Sequence, residues 1–146
     1  MTWDIRKVVA AVDGSEQSVA AARAAIAMAG SAGASVDLIT VVRPPEGWWG
    51  LEGSPPSPEA LAGAIAAGRK EVLDRVTSML PPSEVEVNTV EELGDPAAVI
   101  IAHCESVGAD LLVVGRRGAG VVERLVLGSV ADRLAHEAPC PVLIVP

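Results

Sequence analysis

The chain has 146 residues, half of them hydrophobic, and its 19 acidic against 11 basic side chains give a formal net charge of −8. This length is typical of one domain, so we expect a single domain over residues 1–146. The acidic balance argues against nucleic acid or an anionic membrane as partner, because both need a basic face. No stretch reaches the ~20 apolar residues of a membrane span, no signal peptide is recognisable, and two cysteines make no disulfide framework. We therefore expect a cytoplasmic protein.

The first two strands are predicted from apolar runs. Residues 8–12 are apolar without alternation, which is typical of a strand buried on both faces. Ser15 is suited to cap the helix that follows, where apolar residues recur at helical spacing. Gly30 and Gly33 are predicted to end this helix, and residues 36–42 to form the second strand.

The middle of the chain begins with a loop that is rich in proline and glycine, residues 43–57. It carries Trp48 and Trp49, and two interpretations stay open: a lid over a site at the end of the second strand, or aromatic cover for the sheet edge. A long amphipathic helix is then predicted from Pro58 to about Leu80.

The rest of the chain continues the same alternation. Residues 84–90 alternate polar and apolar side chains, which predicts a third strand at an edge of the sheet. The remaining elements are a helix from 95–96 to near 108, a strand over 111–114, a helix from 129 and a strand over 142–145.

Five strands that alternate with four helices predict an α/β fold with a doubly wound parallel sheet. The expected strand order is 3-2-1-4-5, as in flavodoxin-like proteins. Ligands of such sheets bind at the carboxyl ends of the strands, where the strand order reverses. Asp13 follows the first strand and a glycine-rich stretch follows the fourth, so both reach the same crevice.

The glycine-rich stretch, residues 115–130, has the sequence GRRGAGVVERLVLGSV. Glycine lets backbone N–H groups approach a ligand, and a helix start offers unpaired N–H groups, so the pattern indicates a phosphate site. The P-loop is excluded because the stretch has no lysine, and the dinucleotide fingerprint fails at Glu123. A purely structural interpretation, in which the glycines make tight turns, is the alternative. The spacing that fits is Gly, two residues, Gly, nine residues, Gly-Ser.

This spacing resembles the ATP-binding signature of the universal stress protein family. Residues 8–15, 94–96, 128–130 and 139–142 are also similar to segments of the family, so the resemblance covers nearly the whole chain. It implies a fold like that of the adenine nucleotide α hydrolases and a nucleotide-binding regulatory module in stress response. The implied cofactor is ATP, with Mg²⁺ and cyclic AMP as further candidates.

The resemblance also implies roles for individual residues. Asp13 corresponds to the residue that contacts adenosine, and Val41 to the one that meets the adenine through its backbone. Ala11 stands where some nucleotide-binding members have proline. Arg116 and Arg117 are candidates to pair with phosphate oxygens, or are solvated surface charges. The full set of candidate binding residues is Ala11, Asp13, Val41, Gly115, Arg116, Arg117, Gly118, Gly128, Ser129 and Val130.

No catalytic residue is predicted, because the two histidines and two cysteines have neither zinc spacing nor a triad arrangement. ATP turnover is therefore expected to be negligible. Three alternatives stay open: an ATP-hydrolysing or adenylate-transferring enzyme, a flavin-carrying electron-transfer protein, and a nucleotide-free dimeric interaction module. The absence of Tyr and Phe weakens the flavin hypothesis.

The C-terminal strand predicts self-association. Val142, Leu143, Ile144 and Val145 are all apolar, and in the expected strand order they form an edge of the sheet. An apolar edge strand invites pairing with a second chain, so we expect a homodimer joined through antiparallel copies of this strand. The family resemblance implies the same arrangement.

Overall fold

The computed structural model describes residues 3–43, 57–116 and 127–146. Strands and helices alternate along these residues, and the strands form one parallel sheet in the order β3-β2-β1-β4-β5, which confirms the predicted fold. None of the helices in this part of the chain is both long and apolar enough to cross a lipid bilayer. In chain order the elements are β1 Lys7–Ala11, α1 Glu16–Ala32, β2 Ser35–Val42, α2 Pro58–Ser78, β3 Val87–Leu93, α3 Pro96–Val107, β4 Leu111–Gly115, α4 Ser129–Glu137 and β5 Val142–Val145.

Helices cover both faces of the sheet, and the central strands are apolar on both sides for this reason. On β1, Val8 and Ala10 pack with α1 and α2, whereas Val9 packs with α3 and α4. All three are fully buried. The unbroken apolar runs in the sequence therefore correspond to strands that lie between two layers of helices.

The ends of α1 illustrate how local sequence sets the elements. The Ser15 hydroxyl oxygen accepts a hydrogen bond from the Ser18 N–H at 3.2 Å and caps the helix. Gly33 ends it in the left-handed conformation, with φ of 71°. The predicted stop at Gly30 is wrong, since Gly30 lies inside the helix, where a Cβ would be 3.5 Å from Val85.

The third strand begins three residues later than predicted. The Ser83 hydroxyl accepts a hydrogen bond from the Val85 N–H at 3.1 Å, and this local turn competes with strand formation. At its other end the strand continues through Glu91 and Glu92, which pair with Thr40 and Val41 of β2. The predicted range 84–90 is therefore corrected to Val87–Leu93.

Candidate functional site

A crevice of about 250 Å³ opens at the carboxyl ends of β1 and β4, where the strand order reverses. Strands, helices and connecting turns that are far apart in sequence all contribute to its wall. The described lining residues are Ala11, Val12, Asp13, Ser18, Ile39, Val41, Pro96, Ile100, Val114, Gly115, Gly128, Ser129, Val130 and Ala131.

One part of the crevice is apolar and lies beneath α3 and α4. Ile39, Ile100 and Val114 are buried there, and Ala11 and Val41 pack against the same cluster. An apolar slot between a sheet and two helices suits a flat, weakly polar group such as a heterocyclic base.

The other part of the crevice is polar and lies where the turn after β1 meets the start of α4. Asp13 is exposed there, and its Oδ1 accepts a hydrogen bond from the Ser15 N–H at 2.9 Å. Gly14, between them, has φ of 87°, a conformation that glycine adopts at little cost. The hydrogen bond fixes the carboxylate at the mouth of the crevice.

The backbone of Val41 faces the gap between β1 and β2. The last hydrogen bond joining these strands runs from the Val12 N–H to the Ile39 carbonyl at 2.9 Å, and their pairing extends no further within the described chain. Successive residues of a parallel strand direct their backbone groups to alternate sides, so Val41 faces the same side as Ile39. Its N–H and C=O therefore lie side by side at the crevice, as a donor and an acceptor.

The start of α4 differs from that of the other helices. Side chains of Ser15, Ser57 and Asp95 cap α1, α2 and α3, but α4 starts at Gly128 without a side-chain hydrogen bond. The first N–H groups of a helix have no partner within it and carry partial positive charge. Because Gly128, Ser129 and Val130 line the crevice, this helix start can receive an anion.

The last residue of β4, Gly115, is required by packing as well as by its place in the crevice. A Cβ at this position would lie 2.9 Å from the Gln17 Cβ and 3.0 Å from the Gln17 carbonyl carbon. Real Cβ atoms do not approach so closely. The glycine therefore lets the first turn of α1 lie directly on the end of β4.

The residues after β4 connect the sheet to α4. The Arg116 N–H donates to the Val145 carbonyl at 2.8 Å, and the Arg116 carbonyl accepts from the Gly128 N–H at 2.9 Å. This second bond holds the start of α4 beside β4. The candidates Arg117 and Gly118 lie outside the described residues, as do Trp48 and Trp49 of the predicted lid.

A charged group lies at the rim of the crevice. Asp95 Oδ2 accepts a hydrogen bond from the Arg133 Nη1 at 2.7 Å, and an Arg43 nitrogen lies 3.6 Å from its other oxygen. The N–H of Ala98 and the two guanidinium groups hold the pKa of Asp95 below its usual range. The ion pair joins α3 to α4 beside the crevice.

A separate group of polar side chains surrounds the buried Asp37 and lies on β1, β2, β3 and α3, outside the crevice lining. The carboxylate of Asp37 accepts from Lys7 Nζ at 2.9 Å and Asn88 Nδ2 at 3.2 Å, and pairs with His103 Nε2 at 2.9 Å. Burial raises the pKa of Asp37, but these hydrogen bonds outweigh burial and hold the pKa below its usual range. His103 thus pairs with Asp37 and is not among the residues that line the crevice.

The two cysteines are free thiols on the side of the sheet that α3 and α4 cover. Burial raises the pKa of Cys104 to about 12, with a contribution from its contact with Cys140, and burial also raises the pKa of Cys140. A protonated, buried thiol is a poor nucleophile.

Sequence reasoning missed several lining residues. Of the ten candidates, eight are described and seven line the crevice; Arg116 is adjacent to it. Four of the lining residues that were not predicted lie on helices: Ser18, Pro96, Ile100 and Ala131. Helical periodicity predicts that a residue faces the sheet, but it does not predict where along the sheet the residue lies. The spacing of Ser18 from the Ser15 cap was the one sequence signal that placed it near the turn after β1.

The universal stress protein family model matches residues 4–146 of this chain. A universal stress protein of Methanocaldococcus jannaschii is 35% identical over an alignment of 147 residues that covers 96% of this chain and 81% of the relative. Among solved structures, UspA of Lactobacillus plantarum superposes with a TM-score of 0.80 at 21% identity, over 99% of this chain and 100% of that one. A universal stress protein in complex with cAMP superposes with a TM-score of 0.66 at 26% identity, over 97% of each chain.

Proposed function

The chain belongs to the universal stress protein family, and we propose that it is a regulatory module of the stress response that binds ATP in the crevice. The observation that carries the proposal is the uncapped start of α4, which faces the crevice beside its apolar part. The relative in complex with cAMP, 26% identical, supports an adenine nucleotide as the ligand class.

The proposed position of the nucleotide follows from the two parts of the crevice. The base lies in the apolar part, with its edge on the N–H and C=O of Val41. The phosphates lie at the start of α4, where the N–H groups after Gly128 and the Ser129 hydroxyl donate to their oxygens. Asp13, at the mouth, contacts the sugar. Mg²⁺ accompanies ATP on its phosphate oxygens and leaves with it.

Slow or absent ATP hydrolysis is part of the proposal. Asp13 is the one titratable side chain among the described lining residues, and its Oδ1 accepts a hydrogen bond from Ser15. The segment 110–130 contains no lysine that would correspond to the phosphate-binding lysine of a P-loop. The alternative, an ATP-cleaving enzyme, requires measurable turnover by the purified protein.

The assembly and location that we propose are those predicted from the sequence. The module comprises residues 1–146 and forms a homodimer through β5, whose outer side has no strand beside it among the described residues. The cytoplasm is the proposed compartment, because two thiols in contact persist where the environment is reducing.

Variants at Gly128 test the proposal. Gly128→Val places a branched side chain in the phosphate position, and Gly128→Asp gives α4 the side-chain cap that it lacks. We expect both to abolish ATP binding in calorimetry. Gly128→Asp should also raise the free energy of unfolding by about 0.3–1 kcal/mol, because a carboxylate at this position bonds the first N–H groups of the helix and interacts with its dipole.

Gly68→Val is the matched control, because Gly68 lies on α2 with no atom near the position of an added Cβ. This variant should bind ATP as the wild type does. Equal ATP affinity in the wild type and in Gly128→Val would overturn the proposed site. Release of cyclic AMP instead of ATP from the denatured protein would change the ligand and leave the site unchanged.

A further inference from the structure

Ser18 is the one buried polar side chain among the described residues that line the crevice. Its exposed fraction is 4%, and the other buried polar residues, Asp37 and Thr40, are not part of this wall. It lies in the first turn of α1, where Gln17 touches the end of β4 at Gly115. Ser18 is thus on the part of the wall that spans β1 and β4.

The hydrogen bonds of Ser18 define what it can still bind. Its hydroxyl donates to the Ser15 carbonyl at 2.9 Å, and its N–H donates to the Ser15 hydroxyl oxygen at 3.2 Å. A serine hydroxyl has one proton and two acceptor positions. The proton takes part in the bond to the Ser15 carbonyl, and within the described part of the chain no hydrogen bond is donated to the Ser18 hydroxyl oxygen. A hydroxyl oxygen that donates its proton can still accept, so Ser18 is available to a ligand that donates.

The position of Ser18 along the crevice determines which part of the nucleotide lies next to it. In the proposed arrangement the base edge lies against Val41 on β2, and the phosphates lie at the start of α4. The sugar then spans the ends of β1 and β4, below the first turn of α1. A phosphate oxygen cannot donate to Ser18, whereas the ribose hydroxyls can.

We propose that the Ser18 hydroxyl oxygen accepts a hydrogen bond from a ribose hydroxyl, and so selects ribonucleotides over deoxyribonucleotides. This inference rests on the proposed function, and it adds to the proposed Asp13 contact a second residue that meets the sugar. The contact requires no movement of Ser18, because its hydroxyl continues to donate to the Ser15 carbonyl.

The test is a calorimetric comparison of ATP, 2′-deoxyATP and 3′-deoxyATP on the wild type, Ser18→Ala and Ser18→Cys. Ser106→Ala is the matched control, because the exposed Ser106 hydroxyl makes the same type of bond, to the carbonyl of His103 three residues earlier at 2.9 Å. Loss of one hydrogen bond corresponds to an affinity change of about three- to tenfold. Thermal unfolding of each variant accompanies the titrations.

We expect the wild type to bind ATP about three- to tenfold more tightly than one of the two deoxy analogues. Ser18→Ala should lower the affinity for ATP to that of this analogue and leave the affinity for the analogue itself unchanged. Ser18→Cys, which keeps the shape of the side chain with a larger atom that is a weaker acceptor, should fall between them, and Ser106→Ala should match the wild type.

Two results would overturn the inference, and they differ in what they mean for the proposed function. If Ser18→Ala weakens ATP and both analogues equally, or weakens none, Ser18 has only a structural role and the proposed function stands. If the wild type binds neither ATP nor an analogue, the proposed function falls and the role of Ser18 falls with it.

Discussion

Gly115 lies where α1 touches β4, and this contact determines what a substitution there would do. An added Cβ would lie 2.9 Å from the Gln17 Cβ and 3.0 Å from its carbonyl carbon, so backbone must move to admit it. We predict that Gly115→Ala lowers the free energy of unfolding by about 1–3 kcal/mol, the usual cost of overpacking. Urea denaturation at neutral pH measures it.

The control for Gly115 is another glycine-to-alanine change, at Gly63 on the exposed side of α2. No atom lies near the Cβ position of Gly63, so alanine there should raise the free energy of unfolding by about 0.5–1 kcal/mol. If the Gly115 variant were equally stabilised, the close contact with Gln17 would be refuted.

Asp37 gives the protein a specific sensitivity to acid. Its folded pKa is held below the ordinary 3.8, so the unfolded state takes up a proton first as the pH falls. The stability that Asp37 contributes is complete above about pH 4 and is lost as the pH falls through the folded pKa. We predict that Asp37→Asn lowers the free energy of unfolding at pH 7 by about 3 kcal/mol, because Lys7 and His103 lose their buried partner.

The pH dependence separates this effect from a simple loss of packing. Between pH 5 and pH 2.5 the Asp37→Asn variant should lose less stability than the wild type does, when denaturation curves are compared. Asp4→Asn is the control, since its ion pair with Arg6 at 2.7 Å is exposed to solvent and should contribute little. Parallel curves for the wild type and Asp37→Asn would show that another group causes the acid sensitivity.

The strands differ in how well their limits could be predicted. β1 and β4 are buried on both faces, so an apolar run alone marks them to within one residue. β3 is an edge strand with one exposed face, and its start depends on a hydrogen bond of Ser83 that hydrophobic periodicity does not register. Its end depends on pairing with β2, which carries Glu91 and Glu92 into the strand.

The same distinction applies to the crevice. Asp13 and Gly128 were predicted because turns after parallel strands and glycine at a helix start have recognisable sequence patterns. Ser18 and Ile100 lie on helices. The periodicity of a helix predicts that these side chains face the sheet, but it does not predict their position along the strands. Their place in the wall depends on how α1 and α3 pack across the strands, which is a tertiary property.

The two edges of the whole sheet have opposite character. β3 ends one edge with exposed residues that include Glu91 and Glu92, and charges of this kind discourage pairing with another strand. β5 ends the other edge with four apolar residues, Val142–Val145, all of them only partly buried in the single chain. The molecule therefore has one edge protected by charge and one suited to a second copy.

The homodimer predicted at the apolar edge can be tested through the direction of the backbone groups in β5. Leu112 donates to the Pro141 carbonyl and Arg116 to the Val145 carbonyl, so odd-numbered residues of β5 pair with β4. Residues 142 and 144 then direct their N–H groups outward, toward the proposed partner.

We predict that light scattering gives twice the 14.9 kDa of the chain, and that Ile144→Pro, which removes an outward N–H, returns it to the single mass. Thermal unfolding should show that the Ile144→Pro monomer stays folded, whereas Leu143→Pro, which breaks the bond to β4, should destabilise the fold itself. A wild type of single mass at micromolar concentration rules the dimer out, and a dimer that survives Ile144→Pro places the interface away from β5.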